Sequence, residues 1–224
     1  MKQNKSSRST VLLFLLGAAL IVAALIMLVP DLLNYKQSND TYETLKDTYV
    51  SEKPENTEVA EETGGDDSWW YTDVDVNLEE LQQVNADIIG WIRFDNLEQL
   101  SYPVLYSGDD EKYLRTDIYG NQTIAGCIFM EGMNTPDFQD YHTILYGHNM
   151  KNLSMFGSLK KYKTEDFYKD NQFFTIYTSE CAYRYQIFAY YDVPETDEVY
   201  TVGFAPDETF QKFIDKMKQK SYDD

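Results

Sequence analysis

Histidine, cysteine and basic side chains are scarce in this chain of 224 residues. It holds two histidines, two cysteines, and 19 lysines and arginines against 38 acids, for a formal charge of −19. The shortage of positive charge excludes a nucleic-acid partner, because phosphate backbones are bound by basic surface. Solubility outside the cell is the plain meaning of such acidity. Two cysteines, Cys127 and Cys181, exclude a disulfide framework and leave open either one bridge or two free thiols. Two histidines, His142 and His148, do not make a metal site, which needs more ligands converging on one point. Each histidine therefore raises its own question.

What the chain does have, near its start, is one long apolar run. Residues 11–29, VLLFLLGAALIVAALIMLV, carry no charge and at 1.5 Å per residue reach across the hydrocarbon core of a bilayer. Lys2, Lys5 and Arg8 precede the run, and Pro30 and Asp31 follow it. Positive charge stays inside, so residues 1–10 are expected in the cytoplasm and residues 30–224 outside. The run is long for the apolar part of a cleaved signal peptide, and its small-residue stretches lie inside it. An uncleaved, single-pass signal anchor is the expectation.

Beyond the run the chain divides again. Residues 31–75 hold thirteen acids against Lys36, Lys46 and Lys53. They include EKPENTEVAEETGGDD, poor in large apolar residues and broken by Pro54 and Gly64-Gly65. Residues 30–75 thus read as an acidic extracellular linker or stalk, with a juxtamembrane helix over 32–50 and order returning at Trp69-Trp70-Tyr71. The remaining residues, 76–224, suffice for one core. Leu78, Leu81, Val84 and Ile88 keep helical spacing, Asn77 is a plausible N-cap for Glu80, and Gly90 ends the run. Short segments rich in β-branched and aromatic residues follow: WIRF, YPVLY, IAGCIFM, TILYG, FFTIYT and YRYQIFAYY. Turn signals at 107–110, 119–122 and 134–137 divide them. Helical stretches are expected at 155–162 and 206–218, the second with Phe210, Phe213, Ile214 and Met217 on one stripe. The class is mostly β with helical insertions, most simply a barrel.

His148 stands just past the apolar run Thr143-Ile144-Leu145-Tyr146, after Gly147. A histidine at a strand mouth is held by the sheet yet open to solvent, and its pKa near neutrality suits proton transfer. On position alone, a histidine that merely satisfies a hydrogen bond is the commoner case.

The string around it adds more. YGHNMKNLSMFGSLKKY resembles the class B sortases, the cysteine transpeptidases of Gram-positive cell surfaces. NADIIGWIRFDN (85–96), SYPVLYSGDDEKYL (101–114), AGCIFMEGMN (125–134) and YRYQIFAYYDV (183–193) resemble that family's segments in the same order. The resemblance implies a sortase-type β-barrel with N-terminal helices over residues 76–224. It implies a transpeptidase that attacks, through a thiolate, the bond after the threonine of an LPXTG- or NPQTN-like sorting signal, Thr–Gly in the first. The resulting thioester is resolved by an amine on a peptidoglycan precursor or a pilin. His148 matches the family histidine, the acid for the leaving amine and the base for the incoming one. No cofactor is implied.

The family's nucleophile is the Cys of a Thr-Leu-Ser-Thr-Cys strand, and an Arg on the next strand stabilises the oxyanion. Both follow the helix that corresponds here to residues 206–220. No such strand is among these 224 residues, so the resemblance implies a domain without its last strands, open along one wall. A truncated, inactive sortase is then the expectation, and a non-catalytic surface module retaining the sorting-signal groove is the alternative. Cys127, in AGCIFM, reads as a packed small residue, and Cys181 as a residue near a hairpin turn. Arg184 reads as an exposed cross-strand partner, and Arg115 is no better placed as the missing arginine. His142, near Asp140, reads as a solvated strand start. An enzyme that recruits Cys127 or Cys181 is the third reading.

Overall fold

The computed structural model describes residues 5–52 and 74–222. Most of the EKPENTEVAEETGGDD segment and the whole of Trp69-Trp70-Tyr71 lie outside the described residues. Helix α1 (Lys5–Tyr49) contains the uncharged run and passes through Pro30 without ending. It is long and apolar enough to cross a membrane, and its apolar window is not buried against the rest of the protein.

The second half of α1 does more than a stalk would. Tyr35, Ser38, Tyr42, Leu45 and Tyr49 recur at three- and four-residue intervals, which places them on one face. Ser38, Tyr42 and Leu45 are buried, and Tyr35 and Tyr49 pack against the core. Tyr42 donates its hydroxyl to the Gly126 carbonyl at 2.6 Å. Asn34 and Ser38 meet Thr123 at 3.0 and 2.8 Å. After α1, strand β1 (Val50–Glu52) pairs antiparallel with β2 (Val74–Val76). Residues 34–52, expected as part of the linker, are therefore built into the fold. Apolar burial along one helix face drives this, and acidity on the opposite face does not oppose it.

Helix α2 (Leu78–Val84) begins as its sequence indicates, with Asn77 Oδ1 accepting from the Glu80 amide at 3.1 Å. It stops sooner than its apolar spacing indicates. Asn85 is its C-cap, and Ile88 and Gly90 belong to strand β3 (Ile88–Phe94). Ile88 is buried from a strand, where its spacing to Val84 has no helical meaning.

Six strands form one mixed sheet: β3, β4 (Leu97–Leu105), β5 (Ile128–Met130), β6 (Leu145–Tyr146), β7 (Phe173–Tyr177) and β8 (Ala182–Gln186). The order is β6-β5-β4-β3-β7-β8, a half-barrel. Only β4 and β5 run parallel. The central strands are buried on both faces: Ile88, Trp91, Ile92, Leu100, Val104, Leu105 and Ile128 form the core. Trp91 satisfies its indole N–H on Ser101 Oγ at 2.9 Å.

Two expected strands are shorter than their composition indicates. In IAGCIFM only Ile128–Met130 is strand, and in YRYQIFAYY the strand ends at Gln186. The stretch at 155–162 is a 3-10 helix, Phe156–Lys163, followed by α3 (Glu165–Asp170). A last helix, α4 (Glu208–Lys220), is capped by Asp207 and buries Phe213 and Met217 from its apolar stripe.

Replacing Leu45 with Ala should cost about 2–5 kcal/mol, as for other buried leucines, and lower the melting temperature by several degrees. A chain starting at residue 76 loses the same contacts and should melt below the full chain. Equal melting temperatures for the two would refute the docking of α1.

Candidate active site

His148 follows the last residue of β6 by two positions, and β6 is short. Its two residues pair with β5, Tyr146 opposite Phe129 and Leu145 opposite Met130. Tyr146 also donates to the buried Glu131 carboxylate at 2.5 Å, and the Glu131 amide donates to the Ile144 carbonyl at 3.0 Å. Burial and the neighbouring carboxylate push the Tyr146 hydroxyl pKa far upward, so it stays a donor. Between strand and histidine, Gly147 fits where no side chain would. An added Cβ would lie 2.4 Å from Ile128 Cδ1 and 2.7 Å from Phe156 Cδ2.

The imidazole itself is held by backbone. His148 Nε2 is 2.8 Å from the Leu114 carbonyl. A carbonyl can only accept, so Nε2 carries the proton. The His148 carbonyl in turn accepts from the amides of Met150 and Phe156, at 3.0 and 3.1 Å. The loop that follows contains two non-glycine residues at positive φ, Leu153 at 69° and Met155 at 50°. Such backbone is disfavoured for L-residues and persists only where packing holds it. Met155 is fully buried, and its amide donates to Tyr102 Oη at 3.0 Å.

Leu114 ends the 3-10 helix Lys112–Leu114. Asp87 fastens that helix. Lys112 Nζ lies 2.5 Å and Tyr113 Oη 2.7 Å from Asp87 Oδ2. Asn85 adds its amide to Tyr113 Oη at 3.0 Å. Burial acts to raise the Asp87 pKa, but the hydrogen bonds from Lys112 and Tyr113 outweigh it and hold the carboxyl below its ordinary range. On the other side the turn rests on Gly126. At φ +58°, its missing Cβ would stand 2.6 Å from the Tyr113 carbonyl oxygen and 2.7 Å from that of Leu114. Only glycine takes both the conformation and the contact without strain.

Both cysteines are free, one buried and one exposed, which closes the question of a bridge. Cys127 sits one residue before β5, and its amide donates to the Tyr113 carbonyl at 3.0 Å. Its thiol reaches the Thr116 carbonyl at 3.2 Å. Burial pushes the thiol pKa up to about 12, so at neutral pH it is protonated and unreactive. Cys127 is thus a staple of the Leu114–Thr116 turn. Cys181 lies at the β7–β8 hairpin, where its backbone pairs with Thr178 at 2.8–3.1 Å.

Two other residues differ from their sequence reading. Arg184 is not an exposed partner: it pairs with Asp95 at 2.6 Å with only 25% of its side chain exposed, and its guanidinium lies over the Phe173 ring. Alternation within β8 did not reveal this, because Asp95 comes from the β3–β4 turn. His142 is not a solvated strand start. Its Nδ1 donates to the Thr201 carbonyl at 2.7 Å, and its ring packs on Phe204 and Phe213. It docks the segment that leads into α4. Asp140 binds Asn134 and Thr135, whose amide is the main cause of its lowered pKa. Arg115 is exposed, one residue beyond the Leu114 carbonyl.

Known proteins are similar to this chain in sequence and in fold. Sortase B of Listeria monocytogenes is 38% identical over 145 residues, which cover 64% of this chain and 58% of that protein. The chain thus spans less than two thirds of the length of this curated relative. The structure of sortase B from Bacillus anthracis superposes with a TM-score of 0.68 at 29% identity, covering 84% of this chain and 82% of that one. A Staphylococcus aureus sortase B–substrate complex gives a TM-score of 0.62 at 32% identity, over 65% of this chain and 67% of that one. No family model matches the chain. A curled mixed sheet with helical insertions, superposing on solved sortase B structures, makes this a sortase-type domain. The chain belongs to the class B sortase family.

Gly126→Ala should destabilise the fold by on the order of 3 kcal/mol through strain and overpacking, and should broaden or shift the His148 ring signals in NMR. Unchanged stability and ring signals would show that the approach to Leu114 is not tight. In a thiol titration at neutral pH, Cys181 should react in the native protein and Cys127 only after unfolding. A buried thiol with a raised pKa stabilises the fold fully below the ordinary thiol value of 9.0 and loses that contribution as pH rises towards about 12. Stability of the wild type relative to Cys127→Ala should therefore fall over that window. A flat difference would refute the burial.

Proposed function

We propose that this chain is the histidine-bearing part of a membrane-anchored sortase that joins surface proteins to the cell wall or to pilins. Its substrates would be proteins with LPXTG- or NPQTN-like sorting signals, and its acceptors amines of peptidoglycan precursors or pilins. In that chemistry a thiolate adds to the carbonyl of the signal's threonine. The leaving amine of the residue after it takes a proton from the His148 imidazolium, and a thioester remains. The acceptor amine then attacks the thioester, His148 takes its proton, and the thiolate leaves.

One observation carries the reading: His148 stands at the mouth of β6 on a sortase fold, with its ring fixed by backbone. Residues 1–10 would then lie in the cytoplasm, 11–29 in the membrane, and the half-barrel outside, joined to the membrane stretch by the docked second half of α1.

The same geometry favours a further statement. Cys127 is buried and protonated, and Cys181 sits at a hairpin turn. Arg184 is committed to Asp95. We infer that these 224 residues by themselves bind a sorting signal without cleaving it. An internally quenched sorting-signal peptide mixed with the full chain should bind and remain intact. Cleavage that alkylation abolishes would make Cys127 or Cys181 a nucleophile and overturn the inference. Failure to bind would equally overturn the inference that these residues retain a sorting-signal site.

A further inference from the structure

His148 and His142 are held by backbone carbonyls through opposite ring nitrogens. His142 gives Nδ1–H to Thr201 at 2.7 Å, and His148 gives Nε2–H to Leu114 at 2.8 Å. A carbonyl oxygen has no proton to offer, so each contact dictates the tautomer of the neutral ring. The two rings are thus built as different chemical species. His148 Nδ1 has no hydrogen-bond partner among the described residues.

We propose that the Leu114 carbonyl, positioned by Asp87 through Lys112 and Tyr113, fixes His148 as its Nε2–H tautomer and leaves Nδ1 as the nitrogen that takes and gives the proton. The proton balance is simple. As base, the Nδ1 lone pair takes a proton from the attacking amine and the ring becomes imidazolium. As acid, Nδ1–H gives that proton to the leaving amine, and the ring returns to the neutral Nε2–H form. The Nε2 proton stays on the ring throughout, donated to the Leu114 carbonyl. The contact survives both charge states, since Nε2 donates in each, so the ring keeps its orientation through the cycle.

Asp87 is a positioning residue in this scheme. It lies in the loop between α2 and β3 and touches His148 only through the 3-10 helix Lys112–Leu114. Its carboxylate holds that helix by both Lys112 and Tyr113, and the Asp87 carbonyl also accepts from the Tyr106 amide at 2.8 Å. Asp87→Asn keeps the size of the side chain and removes the charge that anchors Lys112. The role of His148 as acid and base rests on the proposed sortase reading; the tautomer does not.

The test is nitrogen-15 NMR of the full chain in detergent micelles, with only histidine labelled. Two histidines give two ring systems, and His142→Gln assigns them. At a pH where both rings are neutral, His148 should show a protonated Nε2 and a bare Nδ1, and His142 the reverse. Asp87→Asn should accelerate exchange of the His148 Nε2 proton with water by roughly tenfold, the equivalent of one net hydrogen bond. Lys112→Met should change it in the same direction by less. His142 should be unmoved in both, which establishes that the fold is intact. The proposal is overturned if His148 carries its proton on Nδ1 or averages between nitrogens in the wild type. It is equally overturned if neither variant alters the Nε2 proton. Should Asp87→Asn disturb His142 too, the Lys112→Met result decides. No sorting signal enters the measurement, so its failure and the failure of the sortase reading are separate events.

Discussion

The close approach of the 126–127 backbone to the Tyr113–Leu114 turn is the constraint on which the candidate site depends. Gly126 allows it, the Cys127 amide and thiol fasten it, and Tyr42 of α1 donates to the Gly126 carbonyl from behind. The Leu114 carbonyl then points at His148. Backbone carbonyls are a stiff way to hold an imidazole. They have no rotamers to lose, and their position is set by neighbouring elements that are themselves buried. The contact has a chemical consequence as well, because an acceptor-only partner chooses the tautomer.

The uncharged apolar run and the residues that dock on the half-barrel belong to one helix. The uncharged run of α1 is left bare of protein contacts, whereas the next turns bury Ser38, Tyr42 and Leu45 against the segment that carries Gly126. A single helix thus links the stretch fit for a bilayer with the backbone beneath the histidine. The acids of that helix, Asp31, Asp40, Glu43 and Asp47, are exposed to water, where their charge costs little. One signal for this docking was present in the sequence: apolar and tyrosine positions at three- and four-residue intervals from Tyr35 to Tyr49. The acidity of residues 31–75, a feature of linkers, obscures it.

Other differences between sequence and structure have similar causes. The apolar spacing Leu78, Leu81, Val84, Ile88 is helical for its first three members only. Ile88 is buried equally well by a strand, because burial selects for side-chain type without regard to period. The extent of β5 and β8 was overestimated because β-branched and aromatic residues also line loops that cover a sheet. Arg184 and His142 differ from their local pattern for another reason. Their partners, Asp95 and the Thr201 carbonyl, are 89 and 59 residues distant in the chain, and no local pattern announces a contact of that range.

By itself the sequence determined the apolar run long enough for a bilayer, the mostly β class, the N-cap at Asn77, the apolar stripe of the last helix, and His148 as the residue to examine. These follow from local composition, spacing and motif, which are properties of neighbouring residues. Only the tertiary structure decided that Cys127 is an inert staple with a raised pKa, that α1 is part of the folded unit, and that Leu114 and Asp87 stand behind His148. Burial, tautomer and ion pairing depend on which distant segments meet. That meeting is set by the packing of the sheet against α1 and the turns at its edge, a many-body outcome that no single stretch of residues encodes.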